Sequence, residues 1–160
     1  MNPVLFLDFD GVLHTEPSLP TEALSQLPLV EAVLREFAAV EIVISSSWRL
    51  DWTEESEAVS FLRLHFSADI APRVVGITPD CSYLGRPELD EGIPLRQYEC
   101  MEWMKANRPA GTAWLALDDR DDWFLPGCLN LMALDGYAGF MPSDAAEFRR
   151  HLANLTRGDR

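Results

Sequence analysis

The sequence predicts an α/β fold of three layers, a central and mostly parallel sheet with helices on both faces. Three observations carry that expectation. Short apolar runs recur without polar alternation, as in Val4-Leu5-Phe6-Leu7 and in Ile42-Val43-Ile44, which suits strands buried on both faces. Between the runs, apolar residues recur at helical spacing. The strong runs end in polar residues, at the edge where open α/β sheets bind their ligands.

The first strand is residues 4–7, broken by Asp8-Phe9-Asp10-Gly11. Residues 13–20 hold Pro17 and Pro20 and read as a loop, with Thr21 placed to cap a short turn. Leu29, Val30, Val33, Leu34 and Phe37 then mark a helix. Residues 40–44 form the second strand and run into Ser45-Ser46-Ser47-Trp48-Arg49. A second helix is expected over about residues 54–66, with Val59, Phe61, Leu62, Leu64 and Phe66 on its apolar side. Residues 73–77 are a short strand or an extended connection, and 78–94, rich in Pro and Gly, a loop. A third helix covers 96–107 and stops at Arg108-Pro109. Residues 112–117 are a third strong strand, ending at Asp118-Asp119, and 130–134 a fourth. Ser143 is placed to cap a last helix over 145–155.

Composition narrows the function classes. The 160 residues, 48% of them hydrophobic, suit one compact domain spanning 1–160. With 13 Lys+Arg against 26 Asp+Glu, the formal net charge is −13. That balance excludes a broad basic face for coating nucleic acid or anionic membrane, but leaves room for a local basic pocket or a divalent cation. No apolar run is long enough to span a bilayer. The start, Met1-Asn2-Pro3-Val4, has no basic stretch or cleavage site, and Cys81, Cys100 and Cys128 are too scattered for a disulfide framework. A cytoplasmic protein with reduced thiols is expected.

The chemical signal lies in the strand ends. In an extended segment Asp8 and Asp10 point to the same side, and Gly11 permits a tight bend. Two such carboxylates repel unless a cation or a proton intervenes. By itself the tetrapeptide reads equally well as a solvated strand end. Ser45 and Asp118-Asp119 add polar groups that converge on it if the strands are neighbours.

In order and spacing these segments resemble the haloacid dehalogenase (HAD) superfamily of phosphotransferases. Asp8-Phe9-Asp10-Gly11-Val12 is similar to its first motif, Ser45 after Val43-Ile44 to its second, and Asp118-Asp119 after Leu115-Ala116-Leu117 to its fourth. Ile44-Ser45-Ser46-Ser47-Trp48-Arg49 and Arg73-Val74-Val75-Gly76-Ile77-Thr78-Pro79 resemble, in particular, the HAD-like domain of Swiss army knife RNA repair proteins. The likeness runs from residue 4 to about residue 155 and implies a Rossmann-like, HAD-like fold.

The resemblance implies a Mg²⁺-dependent phosphoester hydrolase. Asp8 would be the nucleophile, forming an aspartyl-phosphate, and Asp10 the acid and base for leaving group and water. An Asp at position 10 argues against halide displacement. Ser45 would donate to a phosphoryl oxygen, or cap a helix, or both. Mg²⁺ would be held by Asp8, the Asp10 backbone carbonyl and Asp118 or Asp119, with Asp122 a further candidate. For the balancing cation the choices are Arg86, Arg96 and Lys105. The resemblance favours Arg96, since the resembled domain has an arginine at the start of this helix, although lysine is commoner in the superfamily.

Ser46, Trp48 and Arg49 would face the mouth of the cleft and bind substrate, the aromatic stacking a base and the guanidinium holding a phosphate. The alternative is a packed Trp and a surface Arg. Trp52 and Trp123 either flank the site or complete the core. His14 either touches substrate or is incidental; His65 and His151 read as structural. Residues 11–44 and 46–95 leave no room for a large cap, so an open site is expected, suited to a phosphorylated small molecule or a nucleic-acid end. Arg49, Arg73, Arg86 or Arg120 would grip it locally. The rival reading is a non-catalytic phosphate- or metal-binding partner domain. A mutase or kinase-like transferase would need a cap.

Overall fold

The computed structural model describes residues 1–84 and 92–157. Among these residues five strands form one wholly parallel sheet: β1 (Val4–Leu7), β2 (Glu41–Ile44), β3 (Val74–Ile77), β4 (Trp114–Asp118) and β5 (Leu131–Ala133), in the order β3-β2-β1-β4-β5. Among the described residues four α-helices accompany them: α1 (Leu27–Leu34), α2 (Glu55–Arg63), α3 (Leu95–Asn107) and, after the last strand, α4 (Ala145–Arg157). The α/β expectation with helices on both faces is met.

Strand periodicity sorts the core into two layers. Leu5, Leu7, Ile42, Ile44, Leu115 and Leu117 pack against residues of α1, α2 and α4. Val4, Phe6, Val43 and Ala116 face the other way, onto Cys100, Trp103 and Met104 of α3 and onto Phe124. Each such buried side chain contributes roughly 1.5–3 kcal/mol, so β1, buried at all four positions, anchors both layers.

The elements depart from expectation at their ends. In α2 the buried face is Ala58 and Leu62, with Phe66 following the helix, while Phe61 and Leu64 are exposed. Leu64 sits about 200° round from Leu62, so the apolar side is narrower than composition suggests. Phe37 lies beyond the end of α1. Thr21 caps nothing: Glu22 receives the Leu19 N–H at the turn Pro20–Glu22. Ser143 likewise lies inside a 3-10 turn, Pro142–Asp144, where the Asp144 carboxylate accepts the Met141 N–H. No described helix is long and apolar enough to cross a membrane.

The strand order places the site. Connections leave β1 toward β2 on one side and reach β4 on the other, so the topology reverses between β1 and β4, where such sheets open a crevice at their carboxyl ends. In register, Leu7 pairs with both Ile44 and Leu117. Asp8, Ser45 and Asp118 therefore emerge side by side.

Candidate active site

Asp8 follows β1 directly, its N–H bonded to the Leu117 carbonyl, and Asp118 closes β4; both are buried. Asp119 comes next and turns back between two glycines. A Cβ on Gly11, which has φ of +75°, or on Gly136 would overlap the Asp119 carboxylate. One carboxylate oxygen each from Asp8, Asp118 and Asp119 lies within 4.8 Å of the other two.

The cation beside them is Arg96. Helix α3 runs back toward the start of β4, so its first turn stands at the carboxyl edge of the sheet. Arg96 Nη1 is 3.1 Å from Asp118 Oδ2 and 3.5 Å from Asp8 Oδ1. Lys105 is nine residues on, about 14 Å down the helix, with its side chain 79% exposed and near Glu102. Arg86 lies outside the described residues.

The cluster is electrostatically unbalanced. Burial, and then the neighbouring Asp118, push the Asp8 carboxyl well above the usual carboxylate range, against the pull of Arg96. Burial raises Asp118 to about 6, opposed by Arg96 and by the Arg120 N–H on Asp118 Oδ1. Burial acts to lower the Arg96 pKa, but Asp118 and Asp8 outweigh it and the value rises. Arg96 thus ion-pairs with two of three crowded carboxyls, while Arg120, itself paired to Asp122, adds a weaker attraction from farther off. An all-oxygen, carboxylate-rich set of this kind fits a hard divalent cation such as Mg²⁺.

Asp10 stands apart from that group, its side chain 36% exposed. Its Oδ1 lies 2.7 Å from His14 Nε2 and accepts from Trp48 Nε1 at 3.2 Å. Ser45 is buried beside Asp8's strand, with its N–H on the Leu7 carbonyl, and its hydroxyl bonds to no other described residue.

The three residues expected to bind substrate are placed differently. Ser46 is wholly buried and caps the 3-10 turn Ser47–Asp51, accepting the Trp48 N–H. Trp48 is turned toward Asp10 and packs on Phe9 and His65. Arg49 is only 4% exposed. Its guanidinium donates to the carbonyls of Ser45, Ser46, Thr78 and Pro79 and, at 2.8 Å, to Glu99 Oε2. Glu99 also accepts the Cys81 N–H and lies 3.9 Å from Arg96 Nε. The expectation that Arg49 faces the cleft mouth is therefore corrected: a buried carboxylate and four carbonyls draw it inward.

Arg73 is corrected in the same way. It donates to the carbonyls of Leu34, Phe37 and Val40, which lie before β2, at the opposite edge of the sheet. Arg120 remains near the site, paired with Asp122 and stacked 4.1 Å over the Trp123 ring, with Arg96 at 4.9 Å from the same ring. Asp122 is held in that pair and is not in the carboxylate group. Ser47, Glu16, Arg120 and Trp123 join Asp8, Asp10, Arg96 and Asp119 around a cleft of about 260 Å³. A larger cavity, about 380 Å³, opens beside Trp52 and Trp103, and none of the four site aspartates lines it.

Sequence reasoning passed over Glu99, the partner that fixes Arg49, and left the place of His14 open. The i,i+4 spacing of Asp10 and His14 was the available signal for the latter.

A family model described as the HAD domain in Swiss Army Knife RNA repair proteins matches residues 4–145. No curated protein and no solved structure matches the chain. The matched span includes all five strands, both glycines around Asp119 and every aspartate of the cleft, and a HAD-type hydrolase site is what that superfamily suggests. The chain belongs to the family of HAD domains found in Swiss Army Knife RNA repair proteins.

Proposed function

We propose that the protein is a Mg²⁺-dependent phosphomonoesterase that works through an aspartyl-phosphate on Asp8, with the terminal phosphate of a nucleotide or nucleic acid as substrate. The observation that carries this reading is the meeting of Asp8, Asp118 and Asp119 around one point, with Arg96 on one side and Asp10 held separately.

Asp8 attacks phosphorus; the new P–O bond forms as the bond to the leaving oxygen breaks. Asp10 gives its proton to that oxygen. In the second half Asp10 takes a proton from water, whose oxygen attacks phosphorus and releases Asp8. Ser45, with its hydroxyl uncommitted, donates to a phosphoryl oxygen, and Arg96 offsets the charge gathered on phosphate and Asp8. Asp8, the Asp10 carbonyl and Asp118 or Asp119 would hold Mg²⁺, which would supply positive charge between the approaching anions. The family's description favours a nucleic-acid end, and Arg120 on Trp123 offers a cation and an aromatic face at the cleft.

The test is turnover of p-nitrophenyl phosphate with Mg²⁺, then a screen of mononucleotides and 3′- and 5′-phosphorylated oligonucleotides. Activity abolished by Asp8→Asn is expected. Calorimetric binding of Mg²⁺ and phosphoesters with no hydrolysis would instead favour a non-catalytic binding domain.

A further inference from the structure

The pairing of His14 and Trp48 on a single oxygen of Asp10 has a directional consequence. His14 is 3% exposed, and its Nδ1 accepts the Leu24 backbone N–H at 3.1 Å. A backbone amide can only donate, so Nδ1 carries no hydrogen and the ring's proton sits on Nε2. Nε2 therefore donates to Asp10 Oδ1, at 2.7 Å. The ring's one lone pair, on Nδ1, and its one N–H, on Nε2, are both engaged, so His14 has no free nitrogen for the nearby trio Asp10, His14 and Glu16 to use as a second metal site.

Trp48 Nε1 has only a hydrogen to offer and gives it to the same Oδ1. Asp10 Oδ2 has no partner among the described residues, and Asp10 borders the cleft. The brace is well supported: the Trp48 ring lies 5.9 Å from His14, 5.2 Å from Phe9 and 5.7 Å from His65. Leu24 holds a φ of +58°, a region leucine rarely adopts, in the segment that delivers its N–H to His14. Backbone strain kept at such a place suits a functional constraint.

We propose that His14 and Trp48 are positioning residues: together they clamp Oδ1 of Asp10 and leave Oδ2 as the one oxygen that passes a proton to the leaving group and takes one from water. This rests on the hydrolase reading above. In the first step the proton leaves Oδ2 for the departing oxygen as the phosphorus–oxygen bond breaks and the bond to Asp8 forms. In the second a water proton returns to Oδ2 as the bond to Asp8 breaks. A proton on Oδ1 would face two N–H donors, so neither step has an equivalent route through it.

The test compares leaving groups. An alkyl phosphomonoester needs a proton on its leaving oxygen; p-nitrophenolate departs with far less need of one. His14→Phe, Trp48→Phe and the double variant should lose kcat/KM on an alkyl phosphate at least roughly tenfold more than on p-nitrophenyl phosphate. The loss should fall on kcat, with KM within about twofold, and His14→Gln, which keeps an N–H donor, should recover most of it. Long-range proton–nitrogen correlation on the wild-type protein should show a protonated Nε2 and a bare Nδ1 at His14. Equal losses on both substrates, or a protonated Nδ1, would overturn the clamp while the wild type remains an active hydrolase. Should His14→Phe not fold, Trp48→Phe and the wild-type spectrum decide alone. A folded wild type that turns over neither substrate would overturn the hydrolase reading, and this one with it.

Discussion

Asp118→Asn should make the metal-free protein more stable while weakening its response to Mg²⁺. Asp118 is buried at the end of β4 and its pKa stands at about 6 rather than 3.8. At about 1.4 kcal/mol per pH unit, that difference is about 3 kcal/mol of destabilisation once the pH exceeds 6. The sign follows from proton binding: between about pH 4 and pH 6 the folded state holds the proton that the unfolded chain has released, so stability falls as pH rises. Asparagine keeps an oxygen for the Arg120 N–H and carries no charge, but it loses the ion pair to Arg96. A net gain of about 1–3 kcal/mol at pH 7.5 remains, or roughly 2–10 °C in Tm for a chain of this size. The assay is thermal and urea unfolding in chelator from pH 4 to 8, repeated with Mg²⁺. Wild type should lose stability across pH 4–6 and regain it with Mg²⁺; the variant's profile should be flatter and its Mg²⁺ response small. A variant less stable than wild type in chelator at pH 7.5, or a parallel pH profile, would refute the reasoning.

Three further outcomes are expected. Arg49→Met leaves Glu99 buried without its partner and should cost about 3–5 kcal/mol in urea unfolding, with the Arg49→Met/Glu99→Gln pair costing less than the sum of its single changes. Gly136→Ala and Gly11→Ala both push a methyl group onto the Asp119 carboxylate, so calorimetry should show weaker Mg²⁺ binding in each. Gly11→Ala alone should carry an added penalty of about 1–2 kcal/mol, from its left-handed backbone. Arg73→Ala should lower stability by about 1–3 kcal/mol through its three carbonyl partners, with p-nitrophenyl phosphate turnover unchanged.

Strands and strand ends were legible because burial on two faces writes itself as an unbroken apolar run. Asp8, Ser45 and Asp118 could be read as neighbours once three such runs were assumed adjacent, and the register of Leu7 with Ile44 and Leu117 gives that adjacency. Arg96 was singled out by the family resemblance together with its place at a helix start, and the first turn of α3 sets it beside Asp8 and Asp118. Arg49 was not: its direction is decided by Glu99, far along the chain and ordinary in its helix, and by carbonyls that no composition records. His14 was opaque for a related reason, since its hydrogen-bonding depends on a backbone amide delivered by the unusual conformation of Leu24. The exposed Leu64 shows the converse limit, as apolar residues at the end of a helix need not share its buried stripe.

The central place of β1 also governs how the cleft can be entered. Asp8 hangs from the strand hydrogen-bonded on both sides and packed in both layers, with its own amide bonded to Leu117. Segments fixed in that way open only when the whole molecule does, and amide exchange at residues 5–8 should be as slow as global unfolding. The Asp8 carboxylate thus rides on the least yielding part of the protein. A ligand that does not fit cannot wait for that floor to give way, and any adjustment falls to the side chains lining the cleft from other segments, Arg120 and Trp123 among them.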